Sequence, residues 1–213
     1  LTQHQGLISI EQAKVFIDMT QKLFDRIVET ESDQHIAYVN KQIAAMSVEI
    51  VARQFGRNET HHDSFAKLAR QVSSYLVAFT TQDSHNAEDV KVQSSMLIAM
   101  ATLCTALGQG ILFLINDFLP AILKTLKLAT PSSESKMPEA TQKLLQQSCI
   151  SSVAAIVRSM ARFISSSHLT DLLISLLNPK LAQHAEKISA ILDELATLVN
   201  ARMLLPPMAQ AYT

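Results

Sequence analysis

The sequence predicts an all-α protein assembled from helix pairs stacked side by side. Three observations carry that expectation. Only four of the 213 residues are glycine, and Gly-Pro turn clusters are scarce, so little punctuates the chain as a β protein would be punctuated. Apolar residues, 48% of the chain, recur at steps of three and four over long stretches, the period of a helix with one buried face. Similar helix pairs return at roughly 40 to 55 residues, a spacing typical of helical repeats.

The first helix opens at Ser9-Ile10-Glu11-Gln12. Ser at the N-cap and Gln three residues on form a capping box. Its apolar stripe is Ile10, Ala13, Ile17, Phe24, Ile27 and Val28, and it ends near Glu31. A second helix runs from about Gln34 to Phe55, with Ile36, Val39, Ile43, Met46 and Ile50 as its core stripe and Gly56 as its stop. Asp63 is the N-cap expected for a third, which turns Phe65, Leu68, Val72, Leu76 and Phe79 inward. The polar segment 80–89 reads as a loop.

Residues 92–116 carry no charge, and by length alone they match a membrane span. Their pattern favours a helix buried in protein. Val92, Met96, Ala99, Leu103 and Leu107 form one stripe, while Ser95, Thr102, Thr105 and Gln109 form a polar one interrupted only by Ile98. Gly108-Gln109-Gly110 then breaks the run, since two glycines cost a helix roughly 2 kcal/mol. Asn116 or Asp117 caps the next helix, with Pro120 in its first turn. Leu119, Ile122, Leu123 and Leu126 face one way there, Lys124 and Lys127 another.

Residues 131–139 read as a loop, and a long helix over about 140–165 follows. It buries Leu145, Cys149, Val153, Ile156, Met160 and Phe163, with Arg158 and Arg162 on its other side. A short helix capped by Ser167 or Thr170 ends at Asn178-Pro179. Leu181, Ala185, Ile188, Leu192, Leu195 and Val199 define another long helix, and a short element with two prolines closes the chain.

A helix pair cannot bury both of its apolar faces alone, so pairs stack. The fold class is therefore an α-solenoid of HEAT- or armadillo-like helix pairs, with approximate units 1–32, 33–82, 83–131, 138–178 and 179–213. A helix clasped between neighbouring units is apolar nearly all round, which accounts for residues 92–116. Solenoids offer extended surface, so the expected function is scaffolding.

The net charge of −1 supplies no global field for nucleic acid. Cys104 and Cys149 sit in apolar stretches and read as reduced core residues. Nothing near Cys104 or His168 in sequence activates either as a nucleophile–base pair. His61-His62-Asp63 reads as a solvated loop, since adjacent residues point apart and no second ligand pair stands at helical spacing. Gly108-Gln109-Gly110 lacks the rest of a phosphate loop. Asp193-Glu194 reads as a solvated helix face. No catalytic residue, metal site, cofactor or small-molecule substrate is expected. Arg158 and Arg162, with Lys143 earlier, are candidates for an acidic partner or phosphates. Leu1 in place of Met and the lack of a signal-peptide pattern suggest a piece cut from a longer chain.

From residue 35 onward the chain resembles the C-terminal part of the HEAT repeat-containing protein 1 family. The likeness rests on the succession LIAMATLCTALG, FLPAILKTLKLA, LLQQSCISSVAAIVRSMARFIS, SSHLTDLLISLLN and ILDELATLVNARMLLPPMAQAY, and on IAAMSVEIVARQFG before them. Its closing phrase is the most specific part. Leu195-Ala196-Thr197 runs into Arg202, Leu204, Leu205, Pro206 and Tyr212. The resemblance implies a non-catalytic nucleolar scaffold of the small-subunit processome, associated with the U3 small nucleolar RNA and linked to transcription by RNA polymerase I. Its partners would be other processome proteins, with contact to precursor rRNA or the U3 RNA, direct or indirect, left open. Arg202 joins Arg158 and Arg162 as an expected partner-binding residue. The residues alone also allow a HEAT-type adaptor for nuclear transport or signalling.

Overall fold

The computed structural model describes residues 9–29, 34–82, 86–130 and 137–211. Nine α-helices form among them and no strand. These are α1 (Ile10–Glu29), α2 (Gln34–Phe55), α3 (His62–Phe79), α4 (Ala87–Leu107), α5 (Ile115–Ala129), α6 (Glu139–Met160), α7 (Ser166–Leu176), α8 (Ala185–Leu198) and α9 (Ala201–Ala211). Glu31, Tyr212, the side chains of Ile27 and Val28, and segments 83–85 and 131–136 lie outside the described residues.

The helices form two layers. The even helices pack in the order α2, α4, α6, α8, and the odd ones in the order α1, α3, α5, α7, α9. α1 packs on α2, α3 on α4 and α5 on α6, which joins the layers into a HEAT-like solenoid. Even helices run parallel. Tyr38 of α2 and Asn86 at the start of α4 are hydrogen-bonded at 3.0 Å. At the other end, a Cβ built on Gly56 would lie 2.6 Å from Ala106 Cβ.

Side-chain caps start α1, α4, α7 and α9. Gln12 N–H donates to Ser9 Oγ at 3.2 Å and Ser9 N–H to Gln12 Oε1 at 2.9 Å, the reciprocal box expected. Asn86 and Asp89 form a second one that starts α4 inside the segment read as a loop. Several expected caps move. Asp63 lies in the first turn of α3, because a short 3-10 turn, Glu59–His61, precedes that helix and Asn58 caps the turn. Ser165 caps α7, accepting from His168 N–H, in place of Ser167 or Thr170. Neither Asn116 nor Asp117 caps α5. A 3-10 run over Gly108–Leu114 leads straight into the helix and leaves Pro120 in its interior, not its first turn. Gly108 ends α4 with a positive φ of 50°, the backbone state that favours glycine.

Residues 92–116 divide as expected. Met96, Ala99, Leu103 and Cys104 are buried, while Ile98, Thr105 and Gln109 point outward. The stretch Ala87–Ala129 is long and apolar enough to cross a bilayer by composition. Its large apolar side chains are nevertheless taken up mostly by α2, α3 and α6. Phe113, half-exposed on the 3-10 run, stands under the Arg70 guanidinium at 4.8 Å.

Buried polar groups stitch the layers. Ser152 Oγ on α6 lies 2.9 Å from the Leu97 carbonyl on α4, and Gln93 Nε2 donates to Thr125 Oγ1 at 3.2 Å. Gln146, 1% exposed, is the densest node. Its Nε2 donates to the Ala129 carbonyl at 2.8 Å, and its Oε1 accepts from Gln183 Nε2 at 2.7 Å. His184 Nε2 also reaches that oxygen at 3.2 Å. Burial and then the nearby Lys187 charge hold the His184 pKa below its usual 6.5. The unfolded chain therefore binds a proton at a higher pH than the folded one. Stability from this group is present above pH 6.5 and lost as pH falls below it. Thermal melts from pH 7 to pH 5 should show a decline that His184→Gln reduces.

Four side-chain assignments are corrected. Ile10 is exposed, as are all five residues expected to form the core stripe of α2. The buried face of α2 is instead Ala44, Ala45, Val48, Val51 and Ala52. Small residues let parallel helices approach closely, a contact that hydropathy alone undervalues. Phe163 is exposed because α6 ends at Met160 and a 3-10 turn rotates the chain. On α8 Ile191 is buried with Ile188 and Leu195, while Leu192 is only partly covered and Ala185 is exposed.

Candidate interaction surface

The even layer presents a trough of about 390 Å³ across α2, α4 and α6. Alanines make its floor, among them Ala52, Ala101, Ala106 and Ala155. Arg53 and Arg57 stand at the C-terminal end of α2, and Ile98, Thr102 and Thr105 line the α4 side. Arg53 lies on the last turn of α2 and Arg57 on the turn that follows it, and both line the trough. Basic residues there also complement the negative end of the helix dipole. Arg53 is paired with Glu49 at 2.7 Å but keeps 68% of its side chain exposed. Thr102 and Thr105 hydroxyls donate to the Ile98 and Ala101 carbonyls.

The chemistry of this trough is one-signed. Its lining holds two arginines and no carboxylate. By contrast, grooves of the odd layer mix signs. Lys124 and Lys127 face Asp171 in one, and Arg70 faces Asp117 in another. An acidic or phosphorylated segment would be steered to the even layer.

Of the three arginines expected to bind partners, two lie near one another in the chain. Arg158 is on the last turns of α6, where its Nε donates to Glu194 Oε1 of α8 at 2.7 Å. Glu194 is thus an ion-pair partner between helices and not a freely solvated residue. Arg162 is exposed on the 3-10 turn after α6. Arg202 is exposed at the start of α9, which packs on α7 in the odd layer, so it joins a different surface. Lys143 pairs with Glu139 at 2.6 Å. Sequence reading passed over Arg53 and Arg57. Their signal was the repeat itself, since Arg53 in the last turn of α2 and Arg57 just after it match Arg158 in the last turn of α6 and Arg162 just after it.

Candidate reactive groups are placed as follows. Cys104 and Cys149 are fully buried, and desolvation pushes both thiols far up. His168 Nδ1 lies 3.0 Å from Ser165 Oγ within the α7 cap. His61 is 4% exposed, which corrects the solvated-loop reading of His61-His62-Asp63. Among the described residues no three His, Cys, Asp or Glu side chains are grouped to hold a metal ion.

No family model matches the chain. It is similar to the HEAT repeat-containing protein 1 homolog of Dictyostelium discoideum, at 32% identity over 219 residues. That similarity extends over 100% of this chain and 9% of the relative. Similarity over the whole of this chain, together with a two-layer stack of helix pairs, shows that the chain belongs to the HEAT repeat-containing protein 1 family.

Proposed function

We propose that this chain is a C-terminal portion of a non-catalytic scaffold of the small-subunit processome. It acts in the nucleolus in ribosome biogenesis, in early processing and assembly around the precursor of 18S rRNA, with a link to RNA polymerase I transcription. Its contacts are with other processome proteins, made through the even-layer trough and its arginines, without a small-molecule substrate or a membrane. The single observation that supports this most is the 32% identity spanning the whole chain. The one-signed trough adds a surface suited to acidic partner segments.

Localisation and depletion of the full-length protein test the reading. Nucleolar concentration, with accumulation of unprocessed 18S precursor on depletion, is the expected result. A cytosolic or nuclear-envelope distribution with normal precursor processing would overturn it and favour an adaptor in nuclear transport or signalling. At residue level, Arg53→Gln with Arg57→Gln should leave the circular dichroism spectrum unchanged and lower the melting temperature only slightly, through loss of one exposed ion pair. Recovery of co-purifying processome proteins should fall about tenfold or more, as for loss of charged anchors. Undiminished recovery would remove the trough from the account.

A further inference from the structure

One of the two trough arginines already holds a carboxylate of its own helix. Arg53 Nη2 meets Glu49 Oε1 at 2.7 Å, a single contact in an exposed pair. Glu49 itself does not line the trough. Arg57, on the turn after α2, has no ion-pair partner among the described residues. A guanidinium fork binds a carboxylate best through two parallel bonds, so one fork is half used and the other is empty. The rest of the lining is Ala, Ser, Thr and Ile98, without charge. Shape narrows the choice of occupant. Helices in contact stand about 8–10 Å apart and measure about 10–12 Å across with their side chains. α2 and α6 are separated by α4 alone, so the slot between them is too narrow for a helix and wide enough for an extended chain.

We infer that the trough takes an extended acidic segment of another protein, with carboxylates at alternate positions and small side chains between them, and that Glu49 is the internal competitor it displaces from Arg53. The inference rests on the proposal that this trough is a contact surface. Alternate side chains of an extended chain point the same way and lie about 7 Å apart, a spacing that serves arginines on successive turns. The intervening side chains then meet the α6 wall, where Ser151, Ser152 and Ala155 leave room for small, uncharged groups. A nucleic acid fits less well. It carries a phosphate on every residue and needs a long basic track, and no aromatic ring lines the trough for its bases. The Glu49 contact also shows that Arg53 accepts a carboxylate where it stands. A first carboxylate takes the unpaired Arg57. Taking Arg53 as well means displacing Glu49, so Glu49 weakens the second contact by about what one exposed ion pair contributes, roughly two- to fivefold in affinity.

Fluorescence anisotropy with the full-length protein tests this. The probes are two fluorescein-labelled peptides of equal composition and charge, one alternating Asp with Ala and one with its Asp residues in a single block. The alternating peptide should bind about fivefold or more tighter. Arg53→Gln with Arg57→Gln should weaken it about tenfold and erase the preference, which separates this trough from any other surface. Glu49→Gln should tighten the alternating peptide about two- to fivefold, and Arg53→Gln in the same molecule should cancel that gain. A helix ion pair with a merely structural role gives no such gain. Equal binding of the two peptides, no binding of either, or a Glu49→Gln protein that binds no better would overturn the inference. Displacement of the alternating peptide by oligo-uridylate at lower concentration than by the blocked peptide would also overturn it, in favour of RNA. Loss of processome recovery without these peptide preferences would sink this inference alone. The expected preferences with undiminished recovery would sink only the functional reading of the trough.

Discussion

Ile156→Asp unfolds the array. Ile156 is fully buried on α6, the helix clasped between α4 and α8. A carboxylate there would be buried away from water, and an unpaired buried charge is among the few single changes that cost about 4 kcal/mol or more. Total stability of a domain this size is about 5–15 kcal/mol, so most of the margin disappears. Circular dichroism melts should show either a fall in midpoint of many degrees or no folded baseline. Leu192→Asp is a sharp comparison. Half-covered on α8, Leu192 can turn a carboxylate to water, and its loss should be roughly 1–2 kcal/mol. Equal effects of the two changes would mean that the α8 face is wrongly assigned, with Leu192 rather than Ile191 inward.

Gly56→Ala should be the most disruptive addition of a methyl group at a described glycine. Its Cβ would lie 2.5 Å from the Ala52 carbonyl oxygen and 2.6 Å from Ala106 Cβ. Glycine is needed here for closeness, unlike Gly108, where it is needed for backbone conformation. Relief of the Ala106 contact requires α2 and α4 to separate at their C-terminal ends, which also opens the floor beneath Arg53 and Arg57, while the Ala52 contact is relieved only by a shift of the backbone at the end of α2. Overpacking of this kind costs about 1–3 kcal/mol, visible as a lower urea midpoint. Ala106→Gly in the same molecule removes one of the two clashes. A double-mutant cycle should therefore give a favourable coupling of about 1 kcal/mol. Strict additivity would show that α2 and α4 do not touch at this point.

Much of this architecture was legible in the residues. Capping chemistry announced α1, and the stripes of α3, α5 and most of α6 matched the buried faces, because each of these helices turns large apolar residues to a core. α2 misled for a physical reason. Its followed stripe is real, but the contact actually made uses Ala44, Ala45 and Ala52, whose small side chains give little periodic signal and much close packing. The misplaced caps share another cause. Short 3-10 turns precede α3, α5 and α8, so those helices grow out of an existing turn and need no side-chain cap at the expected position. The trough was missed because it depends on three helices meeting, and no single segment contains it. Arg158 was legible as exposed, whereas its pairing with Glu194 depended on α8 lying beside α6.

The claim beneath all of this is that the uncharged run 92–116 is apolar because protein surrounds it. Amide hydrogen exchange in aqueous buffer, without lipid or detergent, tests that most directly. The stack predicts that the amides of Val92–Leu107 in α4, with those of α6, exchange slowest in the chain and are unaffected by added vesicles. Rapid exchange across that run in water, with protection appearing only when vesicles are present, would contradict it.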